Sequence, residues 1–229
     1  MNIQSYEKII TIIGKNQNRD KLVYHLMYKY IMTNILSFVT VIGKCNPYLE
    51  YISDNIYIRY DECVLKKYIE NVERMYLEKG EIDKNILIVD TNEIDLTSDN
   101  WRYILNNYKH FKTTIIIIFD EIKEINSKII RNYTDITYIF KPLDEKEYLK
   151  KIYETFGKYK INYEMFNSYY KEYICENYIF AITNKEQIYH KLYIKELYTP
   201  KYIINTPNIY DVNVTNREIC RISDILKRV

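Results

Sequence analysis

The run Thr113-Thr-Ile-Ile-Ile-Ile-Phe-Asp120 constrains this chain more than any other stretch. Four consecutive isoleucines between threonines and a phenylalanine present no polar face. Such a segment suits a central strand covered on both sides, and it does not suit a strand with one wet face. Similar runs recur. Asn85-Ile-Leu-Ile-Val-Asp90 also ends in a carboxylate, Ile9 to Ile13 stops at Gly14, Ser37 to Ile42 is closed by Gly43 and Pro47, and Ile136 to Phe140 is followed by Pro142. Tyr57 to Tyr60 reads as a further short strand.

Helical spacing fills the gaps. Leu22, Val23, Leu26, Met27, Tyr30 and Ile31 mark one face from Lys21 to Met32, and a second face runs from Cys63 until Gly80. A third helix is predicted over about Asn100 to His110 and a fourth over Glu145 to Phe156, the latter opened by the capping pair Asp144 and Glu147. Tyr178 to Ile182 and Ile188 to Ile194 resemble a late hairpin. Thr215 with Glu218 predicts a terminal helix over Asn216 to Arg228 with Ile219, Ile222, Leu226 and Val229 along it. Strands alternating with helices over residues 9 to 156 predict an α/β fold, a mostly parallel sheet covered by helices on both faces. The expected organisation is a core over 1–160 and a small C-terminal α+β extension over 161–229, packed on it as one domain.

Charge and cysteine content narrow the function classes. Thirty-three Lys and Arg against 31 Asp and Glu leave a net charge of +2, far from the basic footprint of a protein devoted to nucleic acid. Any DNA contact therefore needs a local patch or an oligomer. Lys146, Lys150, Lys151, Lys158 and Lys160 form such a run, but Glu145, Glu147 and Glu154 interrupt it and make a solvated face the default. The four cysteines stand apart with no CxxC pair, so neither zinc nor a disulfide framework is indicated. No stretch approaches a membrane-spanning length of apolar residues. The 27 tyrosines fit coding from an AT-rich genome and are not read individually as stacking platforms.

Strand, Gly14, polar loop and helix are the opening unit of a P-loop NTPase-like fold. A working phosphate loop reads GxxxxGK followed by Ser or Thr: the glycines let backbone N–H groups wrap phosphate, the lysine neutralises it, and the hydroxyl ligates magnesium. Here the stretch is Gly14-Lys-Asn-Gln-Asn-Arg-Asp-Lys-Leu22. Arg19 replaces the second glycine, Asp20 the lysine, and Lys21 the hydroxyl residue. A one-residue insertion makes Lys21 the phosphate lysine but puts Leu22 where magnesium needs an oxygen. Asp90 stands where a metal-holding Walker B aspartate would, followed by Thr91 in place of a second acid, with Glu93 the nearest substitute. A strand-end carboxylate capping the next turn explains Asp90 equally well, and Asp120-Glu121 is an alternative Walker B pair.

From Lys109 the run Lys-His-Phe-Lys-Thr-Thr-Ile-Ile-Ile-Ile-Phe-Asp-Glu, followed by Lys128-Ile-Ile-Arg-Asn-Tyr-Thr-Asp-Ile-Thr-Tyr-Ile-Phe140, resembles the DNA-packaging ATPases of large cytoplasmic DNA viruses, the poxvirus-type members of the FtsK/HerA group. The resemblance covers roughly residues 8 to 195 in element order. It implies Asp90 as Walker B, Lys109-His110 as a helix-end pair, Asp120 or Glu121 at the sensor position, and Arg131-Asn132 as a turn. Departures fall at the Walker A glycine and lysine, the second Walker B acid, the pair's arginine and the sensor glutamine, marking a degenerate member.

An active member would use ATP and Mg2+, with Gly14 and either Lys15 or Lys21 on phosphate and Asp90 on metal. Glu93 or Glu121 would position water, and Arg131 would act as an arginine finger toward a neighbour. The bland alternatives are a local carbonyl contact for His110 and a surface ion pair for Arg131. The resemblance further implies double-stranded DNA and other virion or replication proteins as partners, a homo-oligomer, no membrane, and a place in the host cytoplasm (viral factory) or virion. The competing readings are a non-enzymatic structural or assembly subunit on the same fold and, more weakly, an AAA+ clamp-loader-like module.

Overall fold

The computed structural model describes residues 7–15, 18–33, 38–44, 53–91, 93–121, 127–140, 145–157, 162–173, 178–183, 188–197, 208–213 and 218–221. Ten strands form one sheet: β1 Ile9–Ile13, β2 Phe38–Gly43, β3 Asn55–Tyr57, β4 Asn85–Asp90, β5 Thr113–Phe119, β6 Ile136–Ile139, β7 Tyr178–Thr183, β8 Ile188–Tyr193, β9 Asn208–Asn213 and β10 Glu218–Arg221. Their order is β10-β9-β3-β2-β4-β5-β1-β6-β7-β8. From β9 to β6 every pairing is parallel, and antiparallel pairs occur at the two ends, β10 on β9 and β6-β7-β8.

The helices are α1 Arg19–Thr33, α2 Glu62–Lys79, α3 Asp99–Asn107, α4 Ser127–Tyr133, α5 Glu145–Ile152 and α6 Tyr163–Tyr173. After α5 the chain widens into a π-helical turn, Tyr153–Gly157. Local chemistry sets several ends: the Asp61 carboxylate accepts from the Cys63 N–H at the start of α2, Gly80 closes it at φ 73, and Ser98 caps α3.

Alternation along the strands sorts the core into two layers. Ile9, Ile13, Leu87, Val89, Ile115 and Ile117 pack with α2, α3, α5 and α6, whereas Ile10, Ile12, Ile86, Ile88, Ile116 and Ile118 pack with α1. Every residue of β1, β4 and β5 is buried, which is why these strands read as unbroken apolar runs. The mostly parallel sheet with helices on both faces is thus as the sequence predicts.

Two expectations are corrected. Residues 218–221, predicted as the start of a helix over Asn216 to Arg228, are strand β10: Ile219 pairs with Val212 and Cys220 with Asp211. The backbone groups of the preceding strand β9 offered a ladder, and that antiparallel pairing outweighed a capping signal resting on two residues. Thr215 and 222–229 lie outside the described residues. Arg131-Asn132, expected as a turn, lies inside α4. The short strand near residue 57 is shifted to Asn55–Tyr57, and the third helix ends at Asn107. The late hairpin strands pair antiparallel as expected, Tyr178 opposite Tyr193 and Thr183 opposite Ile188. Helix α6 and strand β9 were not anticipated.

Gly43 ends β2 at φ +100, and a Cβ there would run into the Asp90 carbonyl. That carbonyl accepts the Lys44 N–H at 2.8 Å. Gly43→Ala is therefore expected to lose about 2 kcal/mol or more, from both the left-handed backbone and the displaced strand end, read as a lower urea midpoint with an unchanged slope.

Candidate functional site at the carboxyl ends of the central strands

Strands β2, β4, β5 and β1 lie side by side and parallel, so the residues that follow them share one edge of the sheet. In open α/β sheets ligands bind at that edge. Gly14 follows β1 and donates its N–H to the Phe119 carbonyl at 3.0 Å. Lys44 follows β2, Asp90 ends β4, and Asp120 follows β5. Gly14 holds φ +118, and a Cβ on it would stand 3.0 Å from the Cβ of Phe140. The glycine thus lets the loop leave β1 tightly against the residue after β6.

Arg19, the first residue of α1, turns its guanidinium across this edge. Its Nη1 donates to Asp120 Oδ1 at 2.5 Å and its Nη2 to Asp90 Oδ2 at 3.2 Å. Lys44 Nζ reaches the other Asp120 oxygen at 3.0 Å, and Asp20 stands 3.8 Å from Arg19 Nε. The Asp90 side chain is 4% exposed, and those of Arg19 and Asp120 are each 12% exposed. A planar cation holding two carboxylates at once is the geometry for which arginine is suited and lysine is not.

The two carboxylates are driven apart in acidity. Burial pushes Asp90 up to about 6; Arg19 opposes that shift, the nearby Asp120 charge adds to it, and Lys44 opposes it. Burial also acts to raise Asp120, but hydrogen bonds from Lys44 and Arg19 outweigh it and bring this carboxyl down to about 2.

The other anticipated site residues are more scattered. Lys15 is exposed, and Lys21 lies half-buried on α1 with no ion pair among the described residues. Glu93 is exposed and its N–H is held by the Thr91 hydroxyl at 3.1 Å. Glu121 is exposed beside Asp120. Arg131 sits on α4, and its side chain lies outside the described residues. His110 precedes β5, so the length of that strand, roughly 20 Å, separates it from the edge where Asp120 stands. It packs instead against Tyr76 and Phe111. Arg19 and Lys44 are the members that sequence reading did not select. Arg19 had registered only as a missing glycine, and the signal for Lys44 was its place directly after an apolar run and Gly43.

A P-loop-like fold implies Mg2+ and ATP. The carboxylate that would take the metal is held by a guanidinium, and neither Lys21 nor Leu22, the two candidates for the hydroxyl position, offers an oxygen ligand. Two cations face three carboxylates at the loop. This arrangement does not fit a magnesium-bound triphosphate.

No family model matches the sequence, and no curated protein matches it. Solved structures do. The genome packaging NTPase B204 from Sulfolobus turreted icosahedral virus 2, in complex with ATP-gammaS, superposes with a TM-score of 0.61 at 10% identity, covering 82% of this chain and 98% of that one. B204 of Sulfolobus turreted icosahedral virus, described as a DNA-packaging ATPase, gives 0.59 at 14% identity over 80% of this chain and 96% of that one. The cytoplasmic domain of the type VII secretion ATPase EccC from Thermomonospora curvata gives 0.51 at 9% identity, over 88% of this chain and 29% of that one. At these identities the likeness is one of fold: the chain has a P-loop NTPase-like, packaging-ATPase-like fold.

An aspartate titrating near 6 when folded, against 3.8 ordinarily, binds its proton more tightly in the folded chain. Its contribution to stability is present at low pH and is lost as pH rises through about 6. Asp120 acts in the opposite sense, contributing above its ordinary 3.8 and losing that contribution as pH falls through about 2. Urea unfolding of wild type and Asp90→Asn across pH 4 to 7 is expected to show a wild-type advantage that shrinks toward neutrality. A difference that stays constant contradicts the burial of Asp90. Arg19→Ala, which takes the guanidinium from Asp90 and leaves Asp120 with Lys44, is expected to cost roughly 3 kcal/mol at pH 7.

Proposed function

We propose that this chain is a viral genome-packaging-ATPase-like protein that has kept the fold and lost ATP hydrolysis, serving as a non-enzymatic assembly subunit. The observation that carries the reading is the Arg19 guanidinium joined to both Asp90 and Asp120. In phosphoryl transfer the protein's contribution is preorganised charge around metal and phosphate. Here the strand-end carboxylates are already neutralised from within, and Glu93, which would position water, is exposed, with its backbone N–H held by the Thr91 hydroxyl. The reading extends to double-stranded DNA and other virion or replication proteins as partners, to a homo-oligomer, and to the host cytoplasm or the virion. No helix among the described residues is long and apolar enough to cross a membrane.

A second reading, a loop that holds nucleotide without hydrolysing it, has one observation in its favour. B204 has been captured with ATP-gammaS, AMP and AMPPCP on the same fold.

Purified protein is expected to release no phosphate from magnesium-ATP above the blank, with or without double-stranded DNA, and Asp90→Ala is expected to change nothing. Turnover that disappears in Asp90→Ala overturns the proposal. Calorimetry with ATP separates the two readings. Saturable heat that needs no Mg2+ and vanishes in Arg19→Ala identifies an occupied loop, and no Arg19-dependent heat at about 1 mM nucleotide leaves the assembly subunit.

A further inference from the structure

A cleft of about 550 Å³ lies between α2 and the sheet face formed by β2, β3 and β9, away from the Arg19 cluster. Its size falls in the range of small-molecule sites. The floor is unusually polar for a face that elsewhere carries isoleucine and leucine. Asn55 and Tyr57 of β3 face it with Tyr210 of β9, and Phe38 stands at one end. The parallel register sets Tyr57 beside Tyr210, whose rings stack 5.1 Å apart at 19°, and Thr40 beside Asn55.

One buried hydroxyl beside this floor is unsatisfied by the protein. Thr40 is 1% exposed, and its hydroxyl has no hydrogen-bond partner among the described residues. Asn55, beside Thr40 in the register, is 8% exposed and lines the cleft. Buried polar groups are nearly always paired, so a hydroxyl left open next to a cleft marks a place where something else supplies the partner. Burial, then the Tyr210 charge, pushes the Tyr57 phenol up to about 12, which keeps its hydroxyl a donor at neutral pH.

The wall opposite carries positive charge. Lys67, Asn71 and Arg74 follow one another at helical spacing on α2 and line the cleft. The cations are only loosely engaged: Lys67 stands 3.8 Å from Glu70, Arg74 3.9 Å from Glu78, and Arg74 donates to Asn71 at 3.0 Å. These are exposed pairs of the weak kind, which an anion with several oxygens can displace.

We infer that this cleft binds a nucleoside phosphate, its phosphate on Lys67 and Arg74 and its base hydrogen-bonded over Asn55 and against the Tyr57–Tyr210 and Phe38 rings. A cation pair, a cleft-lining amide and aromatic walls within one cleft match the three parts of such a ligand: charge, hydrogen-bonding edge and π face. The ligand's source is either a free nucleotide or the terminal nucleotide of a single strand. The inference stands independently of the Arg19 cluster.

The test is calorimetric titration of the full chain with AMP, with a 5′-phosphorylated oligodeoxynucleotide and with inorganic phosphate, in wild type, the exposed double variant Lys67→Ala/Arg74→Ala, and Arg19→Ala. AMP is expected to saturate the wild type below about 1 mM, to bind about tenfold more weakly to the double variant, and to bind Arg19→Ala unchanged. Tighter binding of the oligonucleotide than of AMP identifies a strand end, and preference for AMP identifies a free nucleotide. Circular dichroism on each variant establishes that folding is intact. No AMP binding, equal binding of inorganic phosphate, or loss in Arg19→Ala rather than in the double variant overturns the inference.

Discussion

The structure hangs on the burial of β5 between β4 and β1. A strand enclosed by parallel neighbours at both edges and by helices on both faces has no solvent partner for its backbone. Its ladder must therefore be complete along its whole length. That requirement aligns β1, β5, β4 and β2 in register, so that Ile13, Phe119, Asp90 and Gly43 fall near one level. Everything polar that follows those strands is then crowded along one edge. The Arg19 cluster is the electrostatic consequence: carboxylates from two adjacent strands at the rim of an apolar sheet need a cation, and α1 begins where its first side chain can reach them.

The fold and the site make different demands on the sequence. The sheet shares the layout of the B204 packaging NTPase at 10% identity, because parallel-sheet packing asks only for apolar residues of suitable volume. A phosphate site asks for particular atoms at particular distances, and here those positions hold Arg19, Asp20 and Lys21. Arg19 does more than stand at a loop position, since its guanidinium joins the carboxylates that end two adjacent strands. Asp90 rises to about 6 chiefly because it is buried, while Asp120, hydrogen-bonded by both Lys44 and Arg19, falls to about 2.

The central strands, Gly14, Gly43, Gly80 and the two long helices were legible in the sequence, since each depends on local composition or periodicity. Asp90 and Asp120 were legible as strand-end carboxylates, but not which cation would meet them. Arg19 reads as a defect when set against a motif and as a bridge only when set against β4 and β5, 71 and 101 residues away. Residues 218–221 misled for the same reason: a capping pair is a statement about four neighbours, whereas β10 exists because β9 offered an edge.

By itself the sequence determined that this chain builds a covered, mostly parallel sheet, because unbroken β-branched runs separated by amphipathic helices have few other ways to leave water. Only the tertiary structure decided the strand order, the pairing of Arg19 with Asp90 and Asp120, and the polar cleft beneath α2. Those features depend on which distant segments become neighbours, and no local pattern of side chains encodes that choice.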